Sequence, residues 1–162
     1  MTTFKDIDIS SGGKFLKFKD GENVVRIVSE LLVYWISYDK TSKTWSVYAT
    51  QEAASQDKEA RKRYACWVID RETGTLKIMQ MGNFIVGAIK ALATSKHYAF
   101  DSAPDYDIVI TRTGSDLLTK YSVTPLPKSP LTEDEKAMVE KNATDLRKYI
   151  FVDGTVDTSQ PF

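Results

Sequence analysis

One cysteine and one histidine in 162 residues leave little material for redox, metal or nucleophilic chemistry. Cys66 has no partner for an internal disulfide, which fits a reducing cytoplasm. Together with His97 it falls far short of a zinc ligand set. His97 stands in TSKHYAF, with no serine or cysteine pattern that would mark it as a base. Walker, GxGxxG, HExxH and GxSxG patterns are absent. No run approaches the roughly 18 apolar residues of a membrane span. The start, MTTFKDIDIS, lacks the basic region and apolar core of a signal peptide. The expectation is a non-enzymatic cytoplasmic protein with no catalytic residue, cofactor or metal.

Net charge is missing too, with 22 basic and 22 acidic side chains. The balance is uneven along the chain. Residues 1–130 carry 18 cations against 15 acids, whereas residues 131–162 carry 4 against 7. A basic body with an acidic end piece is one pattern of nucleic-acid-binding proteins. The remaining composition, 42% apolar and 27% charged, is that of an ordinary globular domain, and the length buries a core without staples.

What is present reads mostly as strand. Residues 1–13 end in SSGG and form a flexible segment outside the core. FLKF, VVRIV and LVYWISY are rich in β-branched and aromatic residues, and DGEN punctuates them. TWSVY is a further strand or hairpin arm. TQEAASQDKEARKRY has a helical vocabulary and ends on Arg61, Lys62 and Arg63, cations suited to a helix C-terminus. YACWVID and TLKIMQM form a hairpin through residues 71–74. Ile85, Ala88, Ile89 and Leu92 then mark one face of a helix, with Asn83 as its N-cap. DYDIVITRT and LLTKYSVT close the set, PLPKSP stops the sheet, and Thr132 with Glu135 opens a final helix through a capping box.

This order predicts a mainly β chain: a five-stranded oligonucleotide-binding (Greek-key) barrel with a helix between strands 3 and 4. A helical insertion follows strand 1 and a helical extension ends the chain. An open sandwich or a small α+β sheet would give the same string. The barrel domain spans residues 14–131, after the flexible segment 1–13 and before an acidic helix and tail, 132–162.

Aromatics and cations mingle in the predicted sheet, the pairing that single-stranded nucleic acid requires. Cations track phosphates while flat rings stack on bases. The residues assigned to this surface are Lys17, Lys19, Arg26, Tyr34, Trp45, Tyr48, Arg61, Arg63, Tyr64, Trp67, Lys77, Arg112 and Lys120. Trp45 and Tyr48, in the insertion, are the hardest to explain as core. Adjacent Tyr34 and Trp35 face opposite ways, so only one of them joins a given surface. Asp105 and Asp107 share a strand face and are the one pair open to a metal, the basis of a remote nuclease reading.

Several segments together resemble the single-stranded DNA-binding proteins of tailed bacteriophages: KFLKFKDGENVVRIVSE, CWVIDRETGTLKIMQM with FIVGAIKAL, and YDIVITRTGSDLLTKYSVTPLPKSPL. The resemblance covers roughly residues 14–131. It implies one oligonucleotide-binding barrel that coats single strands during phage replication, recombination or repair, with Lys17, Lys19, Arg26, Arg112 and Lys120 in its basic strands. The ending DTSQPF is similar to the Pro-Phe tip with which bacterial relatives recruit replication and repair partners, which makes Pro161 and Phe162 candidate partner contacts. The zinc ligands of some phage helix-destabilising proteins are lacking. The alternative is a barrel that holds a protein, as an interaction module or replisome accessory without DNA binding.

Overall fold

The computed structural model describes residues 14–151. Seven antiparallel strands make one sheet: β1 Gly21–Ile27, β2 Leu32–Asp39, β3 Thr44–Tyr48, β4 Arg61–Asp70, β5 Thr75–Met81, β6 Tyr106–Thr113 and β7 Lys120–Lys128. The helices are α1 Gln51–Ala54, α2 Asn83–Ala93, α3 Glu133–Asn142 and α4 Arg147–Ile150. The main path runs β3-β2-β4-β1-β6-β7, and β5 pairs with the other edge of β4.

Seven strands replace the expected five because the long first strand is split and its insertion adds one more. β1 and β2 both run antiparallel to the same edge of β4, with Ile27 opposite Val68 and Leu32 opposite Ala65. Between these pairs four residues, 28–31, lie opposite two, 66–67, a bulge of two residues. Ser29 Oγ fills the gap in the ladder by accepting the Trp67 amide proton at 2.8 Å. The sheet does not close into a barrel. Among the described residues β5 finds on its outer edge only the short bridge at Phe15, and β7 pairs with β6 alone.

Four local expectations are overturned. FLKF contributes one bridge residue rather than a strand, and the strand starts at Gly21. The insertion is a β-hairpin arm and a single helical turn, so Arg61, Lys62 and Arg63 lie in β4 and answer no helix dipole. Pairing to β2 outweighs the helical propensity of that segment, as sheet context commonly does. Pro125 and Pro127 sit inside β7, which tolerates them because it is an edge strand. Asn83 is the first helical residue of α2 and Gly82 the cap. The Thr132–Glu135 capping box is present at α3, but that helix ends at Asn142 and a separate turn, α4, follows.

Period-two alternation along β4 divides the core. Cys66 and Val68 face one way, with Val25, Ile27, Met79, Met81 and the Ile85 and Ile89 face of α2. Ala65 and Trp67 face the other way, with Tyr34, Ile36, Ile78 and the C-terminal pair Leu146 and Ile150. Each face is thus covered by a different part of the chain. Burial pushes the Cys66 thiol up to about 12, so it packs as a small hydrophobe and is not a nucleophile.

An ion network fastens α3 and the segment before it to this sheet. Arg26 is buried at 1% exposure and donates Nε–H to Asp107 Oδ1 at 2.8 Å. Its Nη2 donates to the carbonyl and hydroxyl of Ser129 at 2.8 and 2.7 Å. Asp107 also accepts from Arg71 at 3.1 Å, and Arg71 reaches on to Glu135 in α3. The amide of Thr132 and the Arg71 guanidinium hold the Glu135 carboxyl below its ordinary range against the opposing effect of burial.

Candidate nucleic-acid interface

β2, β3 and the first residues of β4 form one edge of the sheet, here called the blade, where Tyr64 packs partly against the α2-side core and Trp45 against the core of the other face. Register fixes what this blade displays. Trp35 lies opposite Lys62 on one neighbour and opposite Tyr48 on the other, and Tyr64 is two residues from Lys62 on the same side of β4. Lys62 Nζ stands 5.9 Å from the Trp35 ring centroid and 5.6 Å from that of Tyr64. Both rings are half-buried and Lys62 is exposed. One ammonium between two flat rings places a phosphate partner beside two stacking surfaces.

Tyr48 extends this row. Its hydroxyl donates to Asp57 Oδ2 at 2.8 Å, which raises the phenol above its ordinary range and ties the ring to the loop before β4. The opposite side of the blade carries Tyr38 against Trp45, ring centroids 4.9 Å apart, and exposed Arg61 opposite Ile36. The hairpin loop between β2 and β3 adds exposed Lys40 and Lys43. Residues 32–64 hold six cations and four acids, so the attraction for phosphate is local to Arg61 and Lys62 rather than a broad field.

The residues expected at this surface therefore fall into three groups. Tyr48, Arg61, Tyr64 and Trp45 lie on the blade. Lys17 and Lys120 are exposed elsewhere, and Lys19, Lys77 and Arg112 engage Glu72, Asp70 and Asp20 respectively, with Arg112 also donating to the Phe18 carbonyl. Arg26, Tyr34, Arg63 and Trp67 are buried, and for these a direct contact with DNA is corrected. Arg26 belongs to the Asp107 network. Tyr34 accepts from Gln80 Nε2 at 3.0 Å and lies beneath Phe151, while burial raises its phenol. Arg63 lies against Gly82 and the Tyr34 hydroxyl, and burial lowers its pKa. Trp67 donates Nε1–H to the Thr144 carbonyl at 2.7 Å beneath the C-terminal segment.

Trp35 and Lys62 are candidate site residues that the sequence alone does not single out, although alternation already separates Trp35 from Tyr34. The signal that selects between the two is the register with β4, which puts Tyr34 opposite Arg63 and Trp35 opposite Lys62. Asp105 and Asp107 do not form a shared metal face: Asp105 is 4.0 Å from Lys128, and Asp107 is held between Arg26 and Arg71. Among the described residues no cluster of His, Cys, Asp or Glu is arranged to hold a metal ion, and no helix is long and apolar enough to cross a membrane. Pro161 and Phe162 lie outside the described residues. No protein-family model, curated protein or solved structure matches the chain.

Proposed function

We propose that this chain binds single-stranded nucleic acid without sequence preference, as a coating protein of phage replication, recombination or repair, and performs no catalysis. The observation that carries the reading is Lys62 held over both Trp35 and Tyr64 on an accessible sheet edge. The connectivity supports it. Taking β1 and β2 as one bent strand, the sequence is strand, strand, strand, helix, strand, strand, and the first strand pairs with both the second and the fourth. That order is compatible with an oligonucleotide-binding barrel left open between its third and fifth strands, with β3 and α1 inserted in the loop after the first. Binding in that fold uses strands 2 and 3 and the loops after strands 1 and 4, and the blade is built from the first of these loops and the start of strand 2.

Titrating intrinsic tryptophan fluorescence with oligo-dT at low and high salt tests the proposal. Stacking on Trp35 quenches emission, and the affinity falls with salt at a log-log slope of about −0.7 per phosphate neutralised. Duplex DNA binds more weakly. Absence of binding at low salt rules the reading out.

A second reading rests on a different surface. An apolar groove of about 300 Å³ lies between α2 and the β1–β2 bulge, lined by Ile27, Leu31, Met81, Val86, Ile89 and Phe100. Glu30 and Asp101 outnumber Lys90 around it, which disfavours phosphate and suits a protein contact. Capture of one protein partner in nuclease-treated extract, abolished by Leu31→Asp, favours this interaction-module reading.

A further inference from the structure

A third surface has its own chemistry. Between the outer face of β4–β5 and the α3–α4 segment lies a cavity of about 320 Å³, bordered by Lys14, Trp67, Lys141, Asn142, Thr144 and Tyr149. Its aromatic floor is rigid. Trp67 is pinned through Nε1 to the Thr144 carbonyl at 2.7 Å, and Tyr149 meets it edge-on at 5.5 Å and 87°. Lys14 Nζ lies 4.6 Å from the Tyr149 ring centroid and donates to the Tyr149 hydroxyl at 3.1 Å. Lys141 supplies a second exposed ammonium.

Charge separates this cavity from its neighbours. The groove beside α2 sets Lys90 against Glu30 and Asp101, and the hollow beside the β4–β5 turn sets Lys17, Lys19 and Arg71 against Glu22, Asp70 and Glu72. The cavity over Trp67 has two lysines and no carboxylate in its lining. Its size is at the small end of ligand pockets, enough for one flat ring with an attached anionic group. Asn142 offers an amide donor and acceptor to a ring edge, as a base requires.

We propose that this cavity is a site for a free nucleotide: a base against Tyr149 at the edge of the covered Trp67 ring, its own edge toward Asn142, and its phosphate between Lys14 and Lys141. Lys14 exchanges its tyrosine partner for a phosphate oxygen on binding. The site is separate from the blade. Trp67 lies on the opposite side of β4 from Lys62 and five residues further along it, so the proposal stands or falls apart from strand binding.

The test is calorimetric titration of the full chain with dTMP, thymidine and inorganic phosphate, repeated in the presence of saturating oligo-dT. Wild type binds dTMP at least tenfold more tightly than thymidine or phosphate. The double variant Lys14→Gln, Lys141→Gln changes only exposed side chains, keeps its melting temperature and binds dTMP at least tenfold more weakly. Lys62→Glu, which weakens oligo-dT on the blade, leaves dTMP binding intact. Retention of dTMP beside bound oligo-dT supports a free-nucleotide site separate from the strand surface, and displacement of dTMP by oligo-dT overturns it. No dTMP binding at millimolar concentration, or equal affinity in the double lysine variant, overturns it.

Discussion

Replacing Trp35 by alanine is expected to weaken oligo-dT binding by about ten- to a hundredfold. This is the range for one stacked base at roughly 1–3 kcal/mol, with each 1.4 kcal/mol worth about a factor of ten. The half-buried ring is an accessible tryptophan beside an exposed cation, and Lys62 is positioned by it. Lys62→Glu removes the ammonium that neutralises a phosphate and introduces repulsion, so the salt slope shrinks in magnitude by about 0.7. Trp67→Phe, by contrast, removes the bond to the Thr144 carbonyl and costs stability, while oligo-dT affinity on the blade changes little. Fluorescence titration of each purified variant, with melting temperature measured in parallel, checks all three. Equal weakening at Trp35 and Trp67 would contradict the assignment of the blade.

Asp107→Ala is expected to be strongly destabilising, at about 3 kcal/mol, the lower end for breaking a buried pair because the carboxylate keeps some solvent exposure. The cause is what remains. The Arg26 side chain is 2% exposed and would keep its charge with only the Ser129 oxygens as partners. Arg71 would be deprived of one of its two acids at the same time. For a chain of this size the destabilisation corresponds to a melting temperature lower by about 6–12 °C. Combining Arg26→Met with Asp107→Leu removes both buried charges and recovers most of the stability, as apolar replacement of buried ion pairs commonly does. Denaturant unfolding of the single and double variants measures this. A double variant as unstable as Asp107→Ala alone would show that the pair holds the sheet through geometry rather than through charge compensation.

Element type is largely legible in the sequence, and pairing is not. The alternation in DYDIVITRT and the i, i+3, i+4, i+7 set Ile85, Ala88, Ile89 and Leu92 become β6 and α2 because each segment buries one face in the way its period requires. Residues 55–63 behave differently. Their Ala, Glu, Lys and Arg content favours helix locally, but pairing with Leu32–Ile36 draws Arg61–Ala65 into the sheet, information that lies 25 or more residues away. The same dependence governs the site. Arg26 reads as one cation among several in VVRIV, and its role is decided by Asp107 and Ser129, from β6 and from just beyond β7. Trp67 reads as a strand aromatic, and only the docking of residues 143–151 converts it from a surface ring to a covered one. The placement of Tyr48 and Tyr64 among cations is legible because aromatics next to cations are visible as composition. Trp35 is not, because Tyr34 and Trp35 look alike until the register with β4 is known.

Ultraviolet cross-linking of the full chain to oligo-dT, with the modified residues located by mass spectrometry, tests the central claim most directly. Adducts are expected on Trp35, Tyr48 or Tyr64, suppressed by high salt and by Lys62→Glu. Adducts confined to the groove beside α2, or absent from residues 35–64 altogether, would contradict it.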